Sequence, residues 1–310
     1  MVIAAAHEAL ARYPLAISSI ELINFEYNAT FKVQLASEEL LALRINVNSE
    51  RTLVNALAEV DFVRHLSTFS GIAVPQPIIN SHNEYVTEFT FEPMNRDVIA
   101  VLFSWLEGEE MGDEPSIETV FSLGATLAKL HLATKDFTLS SGRLPSLRDL
   151  FVGDKDLLSI PNPQIPTAAR EEILQVMQSI DSFLGELYST ESPRVIHADL
   201  HGWNVMLFDG SLSVFDFDDS AVGLPIQDIA IATYYLGTDE ERLELLKGYQ
   251  SISPLPKFTP QIMQALLLHR RLLLLNYLLG SSNSEHREMI PAFLEKTLTR
   301  IESFSAMERE

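Results

Sequence analysis

The chain of 310 residues contains no cysteine, so disulfides are excluded and an intracellular home is allowed. Positive charge is scarce. Only 22 Lys and Arg stand against 43 Asp and Glu, a formal charge of −21. Phosphate backbones and anionic lipids are bound through Lys and Arg, so nucleic-acid and membrane-surface partners are not expected. The same balance suits neutral or cationic partners. Glycine is absent from residue 14 to residue 70, which rules out a glycine-rich phosphate loop there. The N-terminus lacks a basic stretch before its apolar residues, which argues against a signal peptide. The most apolar segment, 265–279, is interrupted by His269, Arg270 and Arg271 and reads as a buried helix rather than a membrane span. A cytoplasmic location is therefore expected. No internal repeat or low-complexity run is visible. Apolar residues make up 46% of the chain, enough for a large core.

The stretch 195–219 organises the rest. Val195 and Ile196 end a strand, and a polar loop runs from His197 to Asn204. Two apolar runs follow, Val205–Phe208 and Ser211–Phe215, separated by Asp209 and Gly210. Asp-Gly between apolar runs predicts a two-residue hairpin loop, because both residues tolerate the positive φ of a type I′ turn. That register sets Phe208 opposite Ser211 and Asn204 opposite Phe215. The open end of the hairpin then gathers Asn204 and Asp216, with Asp199 in the loop just before.

A magnesium ion takes oxygen ligands, commonly one or two protein carboxylates completed by phosphate oxygens. Asn204 and Asp216 are suitable ligands. Asp199 is left to orient a hydroxyl nucleophile and accept its proton. A rival reading uses His197, Asp199 and His201 as the metal site of a hydrolase. The remaining histidines show no ligand spacing, and the hairpin with its second acidic cluster favours the first reading.

The run His197-Ala-Asp-Leu-His-Gly-Trp-Asn204, then a hairpin and Phe215-Asp216-Phe217-Asp218, resembles the protein-kinase-like fold. The closest match is the aminoglycoside phosphotransferase and choline kinase branch. The resemblance implies an α+β, bilobal architecture. An antiparallel five-stranded N-lobe with one helix (1–103) would bind nucleotide. A mainly helical C-lobe (104–310) would carry the catalytic loop and bind the acceptor. It implies ATP and Mg2+ as cofactors, Asp199 as base, and Asn204 and Asp216 on the metal. In the family a strand lysine touches the α- and β-phosphates; Arg44 stands there, and Arg and Lys are not interchangeable. A helix glutamate pairs with that cation. Glu59 is the first choice, with Glu50 and Asp61 as alternatives. Asn28, in the turn Tyr27-Asn28-Ala29, is a candidate phosphate neighbour. The backbone from Ser104 to Leu106 would contact adenine. Asp228 would bond to the backbone of the catalytic loop, and His131 reads as a packed or capping histidine.

The remaining pattern is consistent with that frame. Strands are expected at 17–25, 30–35 and 40–47, a helix at 49–69, a hairpin of 78–79 with 85–89 around residues 81–83, and a strand at 98–105. Helices are expected at 2–13, 116–133, 167–188 and from 227, with three more between 239 and 305. Residues 140–166, with four prolines, read as a loop. Tyr234, Tyr235, Tyr249, Arg270, Arg271 and Tyr277 could line an acceptor pocket, with core packing as the default for the aromatics. The acceptor is expected to be a small hydroxyl-bearing metabolite, and the acidity suits a cationic one such as an amino sugar or amino alcohol. Residues 215–228 also resemble a bacterial subgroup of homoserine-kinase-like enzymes and a stress-linked Ser/Thr protein kinase. A protein substrate is the runner-up, followed by a non-catalytic nucleotide-binding module.

Overall fold

The structure, a computed structural model, describes residues 1–25, 28–47, 51–281 and 283–307. Five antiparallel strands form the N-terminal sheet in the order β1-β2-β3-β5-β4. They are β1 (Ile17–Phe25), β2 (Ala29–Leu35), β3 (Leu40–Ile45), β4 (Thr87–Phe91) and β5 (Arg96–Ser104). Strict alternation along β2 and β3 buries Phe31, Val33, Leu43 and Ile45 against helix α1 (Val2–Leu10), as a period of two dictates. Strand β3 ends at Ile45 rather than at 47. There the side chain of Asn46 takes over the ladder, its Oδ1 accepting from the Ile99 amide at 2.5 Å.

The hairpin expected from 78–79 and 85–89 does not form. The turn is present: Asn80 Oδ1 accepts from the amides of His82 and Glu84, and Asn83 is left-handed at φ 63°. Its incoming arm, however, carries Pro75 and Pro77, which have no N–H to give a ladder. The arm touches β5 only loosely, through a bridge at Pro77, the Ile78 amide on the Leu102 carbonyl, and the Gln76 backbone on Ser104. Strand β4 pairs instead with β5 through a turn in which Asn95 is left-handed.

Helix α2 (Leu53–Leu66) starts later than the pattern predicted, after Thr52, whose amide is capped by Asn55 Oδ1. It is buried on two faces. Ala56 and Val60 meet Ile99, Val101 and Phe103 of the sheet. Ala58, Phe62, Val63 and Leu66 join the core of the helical half. Its polar residues Glu59 and Asp61 are consequently buried as well.

Beyond β5 the chain is mainly helical, with three short strands before the central hairpin is complete. These are β6 (Glu109–Glu110), β7 (Arg194–Ile196) and β8 (Val205–Phe208). Strand β9 (Ser211–Val214) closes the hairpin, and β10 (Ala221–Gly223) pairs with β7. The helices are α3 (Ile117–Ala133), α4 (Thr167–Thr190), α5 (Pro225–Tyr234), α6 (Asp239–Ile252), α7 (Pro260–Gly280) and α8 (Ser284–Met307). The apolar residues of α4 that recur at helical spacing, Ile173, Val176, Met177, Ile180, Leu184 and Leu187, are buried throughout. Each such side chain contributes roughly 1.5–3 kcal/mol of transfer free energy. Among the described residues α7 alone is long and apolar enough to cross a membrane by length and composition. Half of its apolar window is covered by protein, and His269 and Arg271 point into the core.

Candidate active site

The Asp209-Gly210 turn has φ of 47° and 73°, both left-handed, and pairs Phe208 with Ser211 and Val205 with Val214. The Phe215 amide bonds to the Asn204 carbonyl at 3.0 Å, so the open end lies where the turn chemistry placed it.

The loop before it is pinned from beneath. Ala198 is left-handed at φ 66°, which costs a residue with a Cβ of the order of 1 kcal/mol. Asp228, fully buried near the start of α5, holds it there. Its carboxylate accepts from the amides of His197 (3.1 Å) and Ala198 (2.9 Å) and from His131 Nε2 (3.1 Å). His131 is in turn bonded through Nδ1 to the Tyr249 hydroxyl. Thus His131 is a packed linker rather than a reactive group. His197 is spent on structure too. Its Nε2–H donates to the Phe215 carbonyl, so Nδ1 is the acceptor for the Asp199 amide at 3.3 Å. Burial pushes its pKa down and keeps it neutral. With both nitrogens engaged His197 cannot ligate a metal, which removes the first ligand of the hydrolase alternative.

Asp199 is presented at the top of this loop. Asn204 Nδ2 donates to the Asp199 carbonyl at 2.8 Å and lies 3.5 Å from its carboxylate. His201 Nε2 is 3.4 Å from the same carboxylate oxygen. Arg270 of α7 bonds the other oxygen and also donates to the Tyr235 hydroxyl at 2.6 Å. Burial would raise the pKa of Asp199, but Arg270 and His201 outweigh it, so the carboxyl lies below its usual range. Gly202 explains the tight turn that follows. A Cβ there would sit 1.8 Å from the Gly112 carbonyl oxygen, on a segment whose Gly112 amide donates to the Gly202 carbonyl at 3.1 Å.

The opposite wall carries the charges expected from strand and helix. Arg44 on β3 forms an ion pair with Glu59 of α2 and lies 3.4 Å from Asp216. Burial opposes its charge, but Glu59, Asp218 and Asp216 together push its pKa up. Asp61 is otherwise employed, accepting from the Ser140 amide and hydroxyl. Glu50, the other alternative, and Tyr27 lie outside the described residues. Asn28 reaches across from the β1–β2 turn and donates to Asp218 at 2.8 Å, and Arg51 bonds Asp219 at 2.6 Å. Asn28, Arg44, Arg51, Glu59 and Asp218 line a cleft of ≈ 360 Å³.

Four carboxylates meet these arginines: Glu59 and Asp218 line the cleft, Asp216 faces Arg44 and Asp219 pairs with Arg51. Asp216, itself left-handed at φ 59°, is pushed well above the ordinary carboxylate range by its recessed setting and by Asp218, and Arg44 offsets only part of this. Asp219 is pushed up to about 6 for the same reasons. Such a cluster calls for more positive charge than the arginines give. Among the described residues no three acidic or histidine side chains form a metal cage of their own. That donor set fits a hard divalent ion whose remaining ligands are phosphate oxygens. Asp216 and Asn204 would hold it, the latter through Oδ1, since Nδ2 is turned to Asp199.

Residues 20–266 match the model of the phosphotransferase enzyme family. The chain belongs to that family. It is a phosphotransferase. Amicoumacin kinase of Bacillus subtilis is 24% identical over 309 residues, covering 92% of this chain and 89% of that one. Homoserine kinase of Bartonella tribocorum is 32% identical over 203 residues, 60% of this chain and 57% of that one. The match thus spans less than two thirds of that homoserine kinase. A microcompartment-associated aminopropanol kinase has the same fold, with a TM-score of 0.83 at 21% identity over 98% of both chains. So has an amicoumacin kinase in complex with AMP-PNP, Ca2+ and Ami, with a TM-score of 0.77 at 19% identity over 95% and 92%.

Two further features border the site. The Ser104 amide donates to the Gln76 carbonyl and its hydroxyl accepts from the Gln76 amide, both at 2.8 Å, so that amide is already spent within the fold. Leu106, just beyond, lies outside the sheet and is half-buried. On the other side of Asp199 a second cleft of ≈ 320 Å³ is lined by Asp113, His201, Trp203 and Tyr235 among others. Trp203 is half exposed there, and its indole N–H donates to Asp113 at 2.8 Å. Of the residues named in advance as pocket candidates, Tyr235 and Arg270 reach the site. Arg271 instead bonds Tyr234, Thr297 and the Phe293 carbonyl. The signal for Arg270 was present in the sequence: an arginine in the middle of an apolar helix needs buried partners.

Proposed function

We propose that the chain phosphorylates a small hydroxyl-bearing metabolite, with Asp199 as the base. Asn204 and Asp216 would hold Mg2+, and Arg44, steadied by Glu59, would grip the phosphates. The observation that carries this reading is the way two walls face one cleft. Asp199 and Asn204 stand on one loop, and Arg44 with Glu59 and Asp216 stands opposite. In the reaction the acceptor oxygen forms a bond to the γ-phosphorus. The bond from that phosphorus to the ADP oxygen breaks, its electron pair leaving with ADP, and the hydroxyl proton passes to Asp199. The metal ion, when bound, supplies charge neutralisation on the phosphates. The protein contributes position and fixed charge, which is most of what phosphoryl transfer requires.

A small acceptor is favoured over a protein by the short loop between Asp219 and α5, which offers little docking surface, and by the relatives named for small molecules. Catalysis is favoured over bare nucleotide binding by the Arg44–Glu59 pair, which joins sheet to helix beside Asp216. The test is ADP release by wild type, Asp199→Asn and Asp216→Ala with Mg·ATP and a panel of amino alcohols, sugars and hydroxy acids. Asp199→Asn should lower turnover by ~10²-fold or more while nucleotide binding survives. Asp216→Ala should abolish magnesium-dependent nucleotide binding. Retained turnover in the first, or unchanged affinity in the second, rejects the assigned role.

A further inference from the structure

Arg270 is buried beside Asp199 with 12% of its side chain exposed. One terminal nitrogen serves both Asp199 and Tyr235. Its Nε is buried and has no hydrogen-bond partner. A guanidinium carries five N–H donors in a rigid fork, and a buried one left without an acceptor costs free energy. The present pose is therefore one in which the fork is incompletely used. It is also a pose in which Asp199 is neutralised by a cation when it should be receiving a hydroxyl. Tyr235 belongs both to this contact and to the wall of the ≈ 320 Å³ cleft, so one side chain separates the fork from that cleft.

We infer that Arg270 receives a carboxylate of the acceptor, so that the acceptor is a short hydroxy acid rather than a plain amino alcohol. This rests on the kinase reading above. A second carboxylate at the fork draws the guanidinium toward itself, fills the unused donors and leaves Asp199 to the acceptor hydroxyl. A planar fork favours carboxylate over other groups because it binds two oxygens side by side. The hydroxyl must reach Asp199 while the acid group reaches Arg270, and these two side chains are in contact. Only a few carbons can separate the two ends of the acceptor.

The experiment uses three matched compounds with saturating Mg·ATP: homoserine, 3-aminopropan-1-ol (the same skeleton without the carboxylate) and 4-hydroxybutanoate (without the amine). Wild type should show KM values for the two acids about 10- to 100-fold below that for the amino alcohol, the range expected of one charge-assisted contact. Arg270→Gln should erase this preference, raising KM for the acids until it matches that for the amino alcohol in the same variant. Butanoate should compete with the acceptor and not with ATP, a readout that needs no variant and holds if Arg270→Gln fails to fold. Preference of wild type for the amino alcohol overturns the inference. So does an equal fall in kcat for all three compounds in Arg270→Gln, which would make Arg270 a positioning residue for Asp199. Absence of turnover with all three, in protein whose melting point rises with Mg·ATP, also overturns it. No rise with Mg·ATP would instead strike the kinase reading itself.

Discussion

Removing the carboxylate of Asp228 should uncouple the catalytic loop from the fold. Asp228 has no exposed surface and accepts three hydrogen bonds, from His197, Ala198 and His131. In Asp228→Asn one oxygen becomes an NH2 group. Whichever way the amide turns, at least one buried N–H faces a donor. The lost bond is one to a charged acceptor, so about 1.5–3 kcal/mol of stability should go. Asp228→Ala strands all three donors and should cost roughly 3–5 kcal/mol, a large share of a typical folding free energy. The local consequence is sharper. Ala198 is held at φ 66° by the same carboxylate, and Asp199 is the next residue. A displacement of about 1 Å at a reacting group can cost ~10²-fold in rate. Urea unfolding followed by circular dichroism reads the first effect, and steady-state turnover reads the second. KM for ATP should change by less than about threefold, because the arginine wall is untouched. A variant with the wild-type urea midpoint and turnover within twofold would refute the reasoning that Asp228 holds the loop.

Three other outcomes are expected. Glu59→Gln removes the buried charge that pairs with Arg44, leaving Asp216 and Asp218 as the carboxylates acting on it; KM for ATP should rise ~10-fold or more, and an unchanged value would deny the pair a part in nucleotide binding. Gly202→Ala places a Cβ 1.8 Å from the Gly112 carbonyl, so the backbone must part; stability should fall by about 1–3 kcal/mol and turnover with it, and a silent substitution would mean that the two strands of backbone need not touch. His269, buried with Nε2 at 2.9 Å from the Leu150 carbonyl, has its pKa pushed down to about 4 by burial. The unfolded chain therefore binds a proton below about pH 6.5 that the folded one refuses, and stability should decline as pH falls from about 6.5 to 4. His269→Gln should flatten the melting temperature over that window, and an identical profile would exclude His269 as a source of the slope.

The central hairpin was legible in the sequence because its geometry is local. Asp209 and Gly210 permit positive φ, two residues fix the loop length, and the loop length fixes which residues face each other. The same holds for the stripe of α4 and for the alternation in β2 and β3, where one period decides which side is buried. The strand for 78–79 failed because apolar content outweighed the missing N–H groups of Pro75 and Pro77 in the reading. That helix α2 lies between two cores is not legible in its periodicity, which shows only which positions share a face.

What the tertiary structure decided concerns partners far apart in the chain. Sequence offered three acids for Arg44; packing chose between the two described ones by turning Glu59 to the sheet and Asp61 to Ser140. It set Asn28 against Asp218, 190 residues on, and brought Arg270 onto Asp199 from 71 residues away. Spacing along a chain fixes contacts only within a turn, a hairpin or a helix face. Which charge meets which across a cleft is settled by how the elements pack, since only burial makes an unpaired charge costly enough to select its partner.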